Sequence, residues 1–299
     1  MHKKIGKCFL YSFISVVVLG VFIYCEEEDL TVLSTVFGVA LAYALEIAWN
    51  SFKDCFDNST WKETLRLYIR KQLINKEDYI RISFAYLFRI NVDGKYMLVR
   101  NGRGTKKYQP VGGAYQTTDN EKLHLKDVFS VTGDNKIPID EYSKNDYRMF
   151  VPAKNLRKFV KRFNKTKDRE LVSDLSREFK EELVETGILD FDNIEYRYCG
   201  RHMTNIAFSR HFQCYELLLA DVVELIPTKE QEEKLRTLMK LDSEKYIWAN
   251  EDEIKHCGII EGSEQLEETI GDHTFKILEE TEIKLNCIKK LKGRYPVAL

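Results

Sequence analysis

Arg177-Glu178-Phe179-Lys180-Glu181-Glu182 is the run from which the rest of the chain can be read. A helix from about Arg169 to Glu185 is predicted here. On it, Asp174, Glu178, Glu181, Glu182 and Glu185 share one face at offsets of three and four, while Leu171, Leu175, Phe179 and Leu183 occupy the other. The mutual repulsion of that acidic stripe calls for compensation. Magnesium is the natural partner of clustered carboxylates, since it binds oxygen ligands, keeps waters and takes phosphate oxygens. A solvated face on a surface helix would show the same pattern, so the stripe must be weighed with its flanks.

Upstream, from Tyr79, the period is two: Ile80, Ile82, Phe84, Tyr86, Phe88 and Ile90 alternate with Arg81, Ser83 and Arg89, which predicts a half-buried strand. Asp93-Gly94 turns the chain into a second strand, Lys95 to Arg100. Gly102 and Gly104 open a further turn before Tyr108-Gln109-Pro110-Val111-Gly112-Gly113. Residues 114–150 are polar and show no clear period. A basic run follows, with Lys154, Arg157, Lys158, Lys161, Arg162, Lys165, Lys167 and Arg169. Downstream, strands are expected around Ile194–Tyr198, His211–Ala220 and Tyr246-Ile247-Trp248, and helices over Leu225–Leu241 and Ile270–Leu291. Strands mixed with helices predict an α+β domain with a mixed sheet between helices.

An Arg-Glu-apolar-x-Glu-Glu helix preceded by two strands and a Pro-x-Gly-Gly turn resembles the Nudix hydrolase family. The family's box reads Gly-x5-Glu-x7-Arg-Glu-apolar-x-Glu-Glu-x-Gly-apolar, and its glutamates hold divalent cations that assist attack of water on a nucleoside diphosphate linkage. The resemblance implies Glu178, Glu181 and Glu182 as metal ligands for Mg, with Glu181, Glu182 and Arg177 as the catalytic set and Arg177 bracing the carboxylates. Gly112 and Gly113 match the glycine pair before the box. Three features depart from the pattern. The upstream glutamate falls at Arg169, with Glu170 adjacent; the upstream glycine is missing at Phe163-Asn164-Lys165; and the downstream glycine is displaced to Gly187. The distance from Gly113 to Arg177 is long, implying an insertion at about 114–168 in a domain covering 79–299.

The N-terminus is of a different character. Global composition, 44% hydrophobic and 31% charged, would suit a soluble enzyme, but the apolar residues are concentrated at one end. Ile5–Tyr24 carries no charge from Cys8 onward, and Leu30–Trp49 has Glu46 as its only ionisable side chain. Each run approaches the roughly 20 residues needed to cross a hydrocarbon core. A cleaved signal peptide is the competing reading of the first run, but no small-x-small site ends it and a second span follows at once. Residues 1–52 are therefore expected to form a two-helix transmembrane hairpin, with spans at about 8–25 and 30–49. Residues 53–78 would form a helical linker, with Thr60-Trp61-Lys62-Glu63 at capping-box spacing and Trp61, Leu65, Ile69 and Leu73 as its apolar stripe. Basic residues flank the pair outside, and Glu26-Glu27-Glu28-Asp29 fill the loop, which predicts both termini in the cytoplasm. The seven cysteines are odd in number and scattered, which argues against a disulfide framework or a zinc site. Ser34, Gly38, Ala42 and Glu46 recur every four residues, small side chains that would permit close helix contact. Glu46 either faces a partner or water, or snorkels to the interface.

A transmembrane hairpin fused to such a divergent domain resembles a narrower group, the SMODS-associated Nudix proteins. These are two-transmembrane effectors of bacterial cyclic-oligonucleotide antiphage systems (CBASS). The resemblance implies a bacterial inner-membrane protein, multi-pass and homo-oligomeric, whose soluble domain senses a cyclic oligonucleotide rather than a DNA or RNA polymer. Candidate ligand-binding residues are Arg103, Tyr108, Gly112, Gly113, Lys158 and Arg162, the cations meeting phosphates and Tyr108 stacking a base. Membrane lipid is an equally good partner for the basic run. A membrane-tethered Mg-dependent hydrolase and a protein-binding membrane scaffold are the competing functions.

Overall fold

The computed structural model describes residues 2–56, 60–102, 106–137, 143–259, 267–279 and 285–299. The chain divides into two compact units, Met1–Glu63 and Thr64–Leu299.

In the first unit, helices α1 (His2–Glu27) and α2 (Thr31–Phe56) are joined by a tight turn through Asp29, which has a left-handed backbone. Cys8–Glu27 and Thr31–Trp49 are long and apolar enough to cross a membrane, and only 11% of each is buried. A core helix of a soluble protein would hide such a surface, whereas Phe13, Val16, Val32, Val36 and Tyr43 are exposed. The residues that are withdrawn recur in steps of three and four. They are Tyr11, Ser15, Val18, Phe22 and Cys25 on α1, and Ser34, Phe37, Leu41, Ala44 and Ala48 on α2. That spacing is the seam of a coiled-coil-like pair. Its hydroxyls are satisfied within their own helices, Ser15 Oγ donating to the Tyr11 carbonyl (2.9 Å) and Ser34 Oγ to that of Thr31 (3.1 Å). The four-residue stripe is split by this seam. Ser34 is buried and Gly38 lies against Phe22, where a Cβ would sit 3.3 Å from the ring, but Ala42 and Glu46 are exposed.

The short helix α3 (Thr60–Arg70) buries Trp61 and Leu65; Leu73, assigned to the same stripe, lies past its end and is exposed. Strand β1 (Tyr79–Arg89) is the axis of the α+β unit. One edge pairs in parallel with β10 (Cys214–Leu225). The other edge is shared: residues 79–83 pair with β7 (Arg148–Pro152) and residues 85–87 with β5 (Gly112–Ala114), both antiparallel. The chain therefore leaves this edge after β5 and returns to it as β7. β8 (Asn193–Met203), β12 (Arg294–Ala298), β6 (Thr132–Gly133) and β9 (Ala207–Ser209) complete the mixed sheet. A smaller antiparallel sheet holds β2 (Asn91–Val92), β3 (Lys95–Arg100), β4 (Tyr108–Gln109) and β11 (Tyr246–Ala249).

Phe84, Tyr86 and Phe88 of β1 point to one face. There they meet Phe159 and Phe163 of α5 (Leu156–Phe163) and Phe179 of α6 (Arg177–Phe179). Leu87 points to the other face, packing with Leu98, Ala249, Ile254 and Ile277. Both faces are thus covered, and the expectation of a half-buried strand is corrected. Arg81 and Arg89 are buried as well, at 3% and 0% exposure. Such charges need partners: Arg81 reaches Asp134 (2.8 Å) and Glu216 (3.1 Å), and Arg89 donates to the carbonyls of Ile277 (2.6 Å) and Leu278.

Those last two bonds also explain a second correction. The helix expected over Ile270–Leu291 is absent among the described residues. A 3-10 turn at Asp272–Ile277 ends where its carbonyls are taken by Arg89, and Asn286 instead bridges to Arg201. The helix expected over Leu225–Leu241 is α7 (Lys229–Leu238); β10 claims Leu225, and Thr228 caps the helix with Gln231 in a reciprocal pair. Two further helices are α4 (Asp119–Phe129), capped by Thr118, and α8 (Glu251–Lys255).

Candidate functional site: an acidic cleft on a Gly-Gly strand

β5 pairs closely with β1 because neither Gly112 nor Gly113 carries a side chain to hold it away. Gly112 has φ +145°, and a Cβ there would lie 2.2 Å from the Tyr86 carbonyl oxygen. A Cβ on Gly113 would lie 1.8 Å from Glu178 Oε1. The two glycines therefore form a floor on which two glutamates rest. The Gly112 N–H donates to Glu182 Oε2 at 2.9 Å.

The acidic helix starts later than its periodicity predicts. Regular helix begins only at Arg177, and Asp174 lies outside it, exposed. The reason is tertiary: the hydroxyl of Tyr196 on β8 accepts from the Leu175 N–H (2.8 Å) and donates to the Val172 carbonyl (3.0 Å), taking backbone groups that a longer helix would use. From Lys180 to Val184 the helix widens to π geometry, with the Glu185 N–H bonded to the Lys180 carbonyl. Such bulges recur at functional sites because they re-aim side chains. Phe179 and Leu183 anchor the inner face, and Glu178 and Glu182 turn toward β5.

Arg177 sits amid the carboxylates. It reaches Glu178 (2.7 Å), Glu170 (3.3 Å), Glu181 (3.5 Å) and the carbonyl of Ala114 (2.9 Å). Glu170 was not among the candidates. It takes the place the box reserves for its upstream glutamate, one residue late, and is held by the Tyr86 hydroxyl (2.9 Å) and the Gln116 N–H (3.3 Å). The single signal for it was its adjacency to Arg169.

Burial pushes the Glu182 carboxyl up to about 8, with the charge of Glu178 adding to the effect and the Gly112 N–H opposing it. Burial likewise raises Glu170, against the pull of Arg177, and Glu181, where Glu178 and Glu185 add to it. A cleft that lifts several carboxyls in the absence of a cation is one that a cation would stabilise. The donor chemistry, all carboxylate oxygen, fits a hard divalent ion such as Mg, which needs one or two carboxylates and otherwise keeps its waters. Among the described residues no three acidic, histidine or cysteine side chains already converge as a coordination shell. Arg177 pairs with Glu170, Glu178 and Glu181, and Glu182 is held by the Gly112 N–H.

The other candidates lie elsewhere. Tyr108 packs against the smaller core around Leu98 and Ile270, and its hydroxyl donates to the Glu244 carbonyl (3.2 Å). Arg162 is forked onto the buried carboxylate of Glu121 (Nε to Oε1, 3.0 Å), which commits its guanidinium to holding α5 against α4. Lys158 stands exposed on α5. Arg103 and Gly104 lie outside the described residues. Of the ligand candidates among the described residues, Gly112 and Gly113 join the cleft and Tyr108, Lys158 and Arg162 do not.

A model of the SMODS-associated NUDIX domain matches residues 79–278, about two thirds of the chain. Comparison with curated proteins gives no match.

Proposed function

The chain belongs to the SMODS-associated NUDIX family, and on that premise we propose that it is a membrane-anchored effector of a bacterial cyclic-oligonucleotide antiphage (CBASS) system. In this reading the α+β domain binds a cyclic oligonucleotide. The helical hairpin, with both termini in the cytoplasm, associates with other copies and disrupts the inner membrane. The observation that carries it is the joining, in one chain, of a domain of this family to two helices whose apolar faces are exposed. Ligand can drive association only if the associated state binds it more tightly. The exposed half of the α2 stripe, Ala42 with Glu46, is the surface left for contact between copies, since Ser34 and Gly38 are used inside the hairpin.

A second reading is favoured by one observation, that Glu170 completes the carboxylate set around Arg177. It is a membrane-tethered hydrolase of a nucleoside diphosphate-type substrate. Glu178, Glu181 and Glu182 would hold Mg, which supplies charge neutralisation at the phosphate and a more acidic bound water. Arg177 would keep the glutamates oriented, and the Gly112–Gly113 floor would let substrate phosphates approach the backbone.

Dye-loaded vesicles carrying the full chain separate the two. Release on addition of cyclic di- or trinucleotides is the expected result. Mg-dependent nucleotide hydrolysis without release would replace the effector reading with the hydrolase one.

A further inference from the structure

Between α4 and β7 lies a cavity of about 640 Å³, and none of its lining residues belongs to the acidic cleft. The volume is within the range of small-molecule sites. Leu125, Val131, Ile137 and Met149 give it an aliphatic wall. Lys122 and Lys126 of α4 and Lys144 of the turn before β7 stand exposed at its rim. Lys122 Nζ is held toward this turn by the Lys144 carbonyl (2.7 Å). Deeper in the lining are three polar groups. Thr117 is 5% exposed, and its Oγ1 has no hydrogen-bond partner among the described residues. Asp146 is 8% exposed and accepts from Arg148. The lining also includes Asp119, which is exposed, and Asp134, which is neutralised by Arg81 (2.8 Å).

This lining selects by chemistry. A fatty acyl chain would cover the Asp146–Arg148 pair with hydrocarbon, at a desolvation cost. A free phosphate or sugar phosphate would waste the aliphatic wall. A nucleoside phosphate meets both demands. Its base lies against aliphatic carbon, its edge N–H and carbonyl groups face Asp146 and Arg148, and its phosphates reach the lysines. We propose that the cavity between α4 and β7 is a binding site for a nucleoside phosphate, distinct from the acidic cleft. That its occupant is a cyclic oligonucleotide rests in addition on the effector reading above. The two sites share a wall: Gln116 donates to Glu170 on the cleft side and bridges Asp146 on the cavity side.

The test uses the full chain in detergent, titrated with AMP, GMP, cyclic di-AMP, cyclic di-GMP and cyclic tri-AMP, reading equilibrium dialysis and melting temperature. Wild type binds at least one probe. The Lys126→Glu/Lys144→Glu pair weakens it about tenfold or more, as loss of charge-assisted phosphate contacts requires. Glu178→Gln, in the acidic cleft, leaves binding intact. Binding untouched by the cavity variant and lost in Glu178→Gln overturns the cavity site while the effector reading stands. Mononucleotide binding lost in the cavity variant, with no cyclic probe bound, upholds the site and removes the effector reading. No probe bound by folded wild type overturns both.

Discussion

Asp221 is fully buried and Glu182 half-buried, and their surroundings differ most in how completely each carboxylate is answered. Asp221, in the centre of β10, accepts from both arms of Arg201 (2.8 and 2.7 Å) and from the hydroxyls of Tyr115 (2.7 Å) and Tyr198 (3.2 Å). Glu182 accepts one backbone N–H from Gly112 and faces the like charge of Glu178. A buried group with every lone pair used fixes a fold, whereas one with spare lone pairs and a raised pKa is poised to take a ligand. The same residue class is fully satisfied in one region and left with spare acceptor capacity in the other.

The largest expected effect lies in the first region. Asp221→Asn leaves Arg201 buried without a counter-charge, so the domain should lose about 3–5 kcal/mol. Thermal or denaturant unfolding checks this, and a loss under about 1 kcal/mol would mean that the cluster is wetter than its geometry indicates.

Glu182 should behave in the opposite sense. Its folded-state pKa, about 8, lies above the 4.5 of an unperturbed glutamate. The folded chain therefore keeps a proton that the unfolded chain loses. The contribution of this group is full below about pH 4.5 and is lost as pH rises to about 8, by up to about 1.4 kcal/mol per pH unit. Melting of wild type against Glu182→Gln across that window should show the difference moving steadily against wild type. A Mg ion bound by the deprotonated cleft would flatten it, and a difference independent of pH would show Glu182 to be ionised throughout.

The smallest effect on stability is at Gly113. Gly113→Ala places a methyl group where Glu178 Oε1 now lies, and the flexible glutamate can yield. The fold should lose about 1 kcal/mol or less, while affinity for Mg, measured by calorimetry, falls more than in a surface control. Gly112→Ala would not separate the two readouts, since its Cβ meets the backbone of β1.

Patterns of length and period carried well from sequence to structure. The two apolar runs became α1 and α2 within a few residues, and the alternation from Tyr79 became β1. The box residues 177–182 reached the cleft with the Gly-Gly pair. These features are local, because a helix or strand repeats its own geometry and leaves a matching repeat in the residues. Which face is wet is not local. Arg81 and Arg89 read as solvent-facing but are paired by segments distant in sequence, and the acidic helix lost its first two turns to a tyrosine on β8.

Glu170 condenses that division. Period and motif spacing could say that a carboxylate belonged near position 169, and on those terms Arg169 occupied the slot. The loop that follows Thr166 lets the chain slip by one residue. Arg169 turns to stack on Phe163 and Tyr115, while Glu170 turns to Tyr86, Gln116 and Arg177. Hydrophobic length, strand period and the box are written in neighbouring residues and follow from backbone geometry alone. The identity of the fourth carboxylate, the burial that lifts Glu182 and the cavity between α4 and β7 arise from desolvation and pairing between segments distant in the chain, which no local pattern encodes.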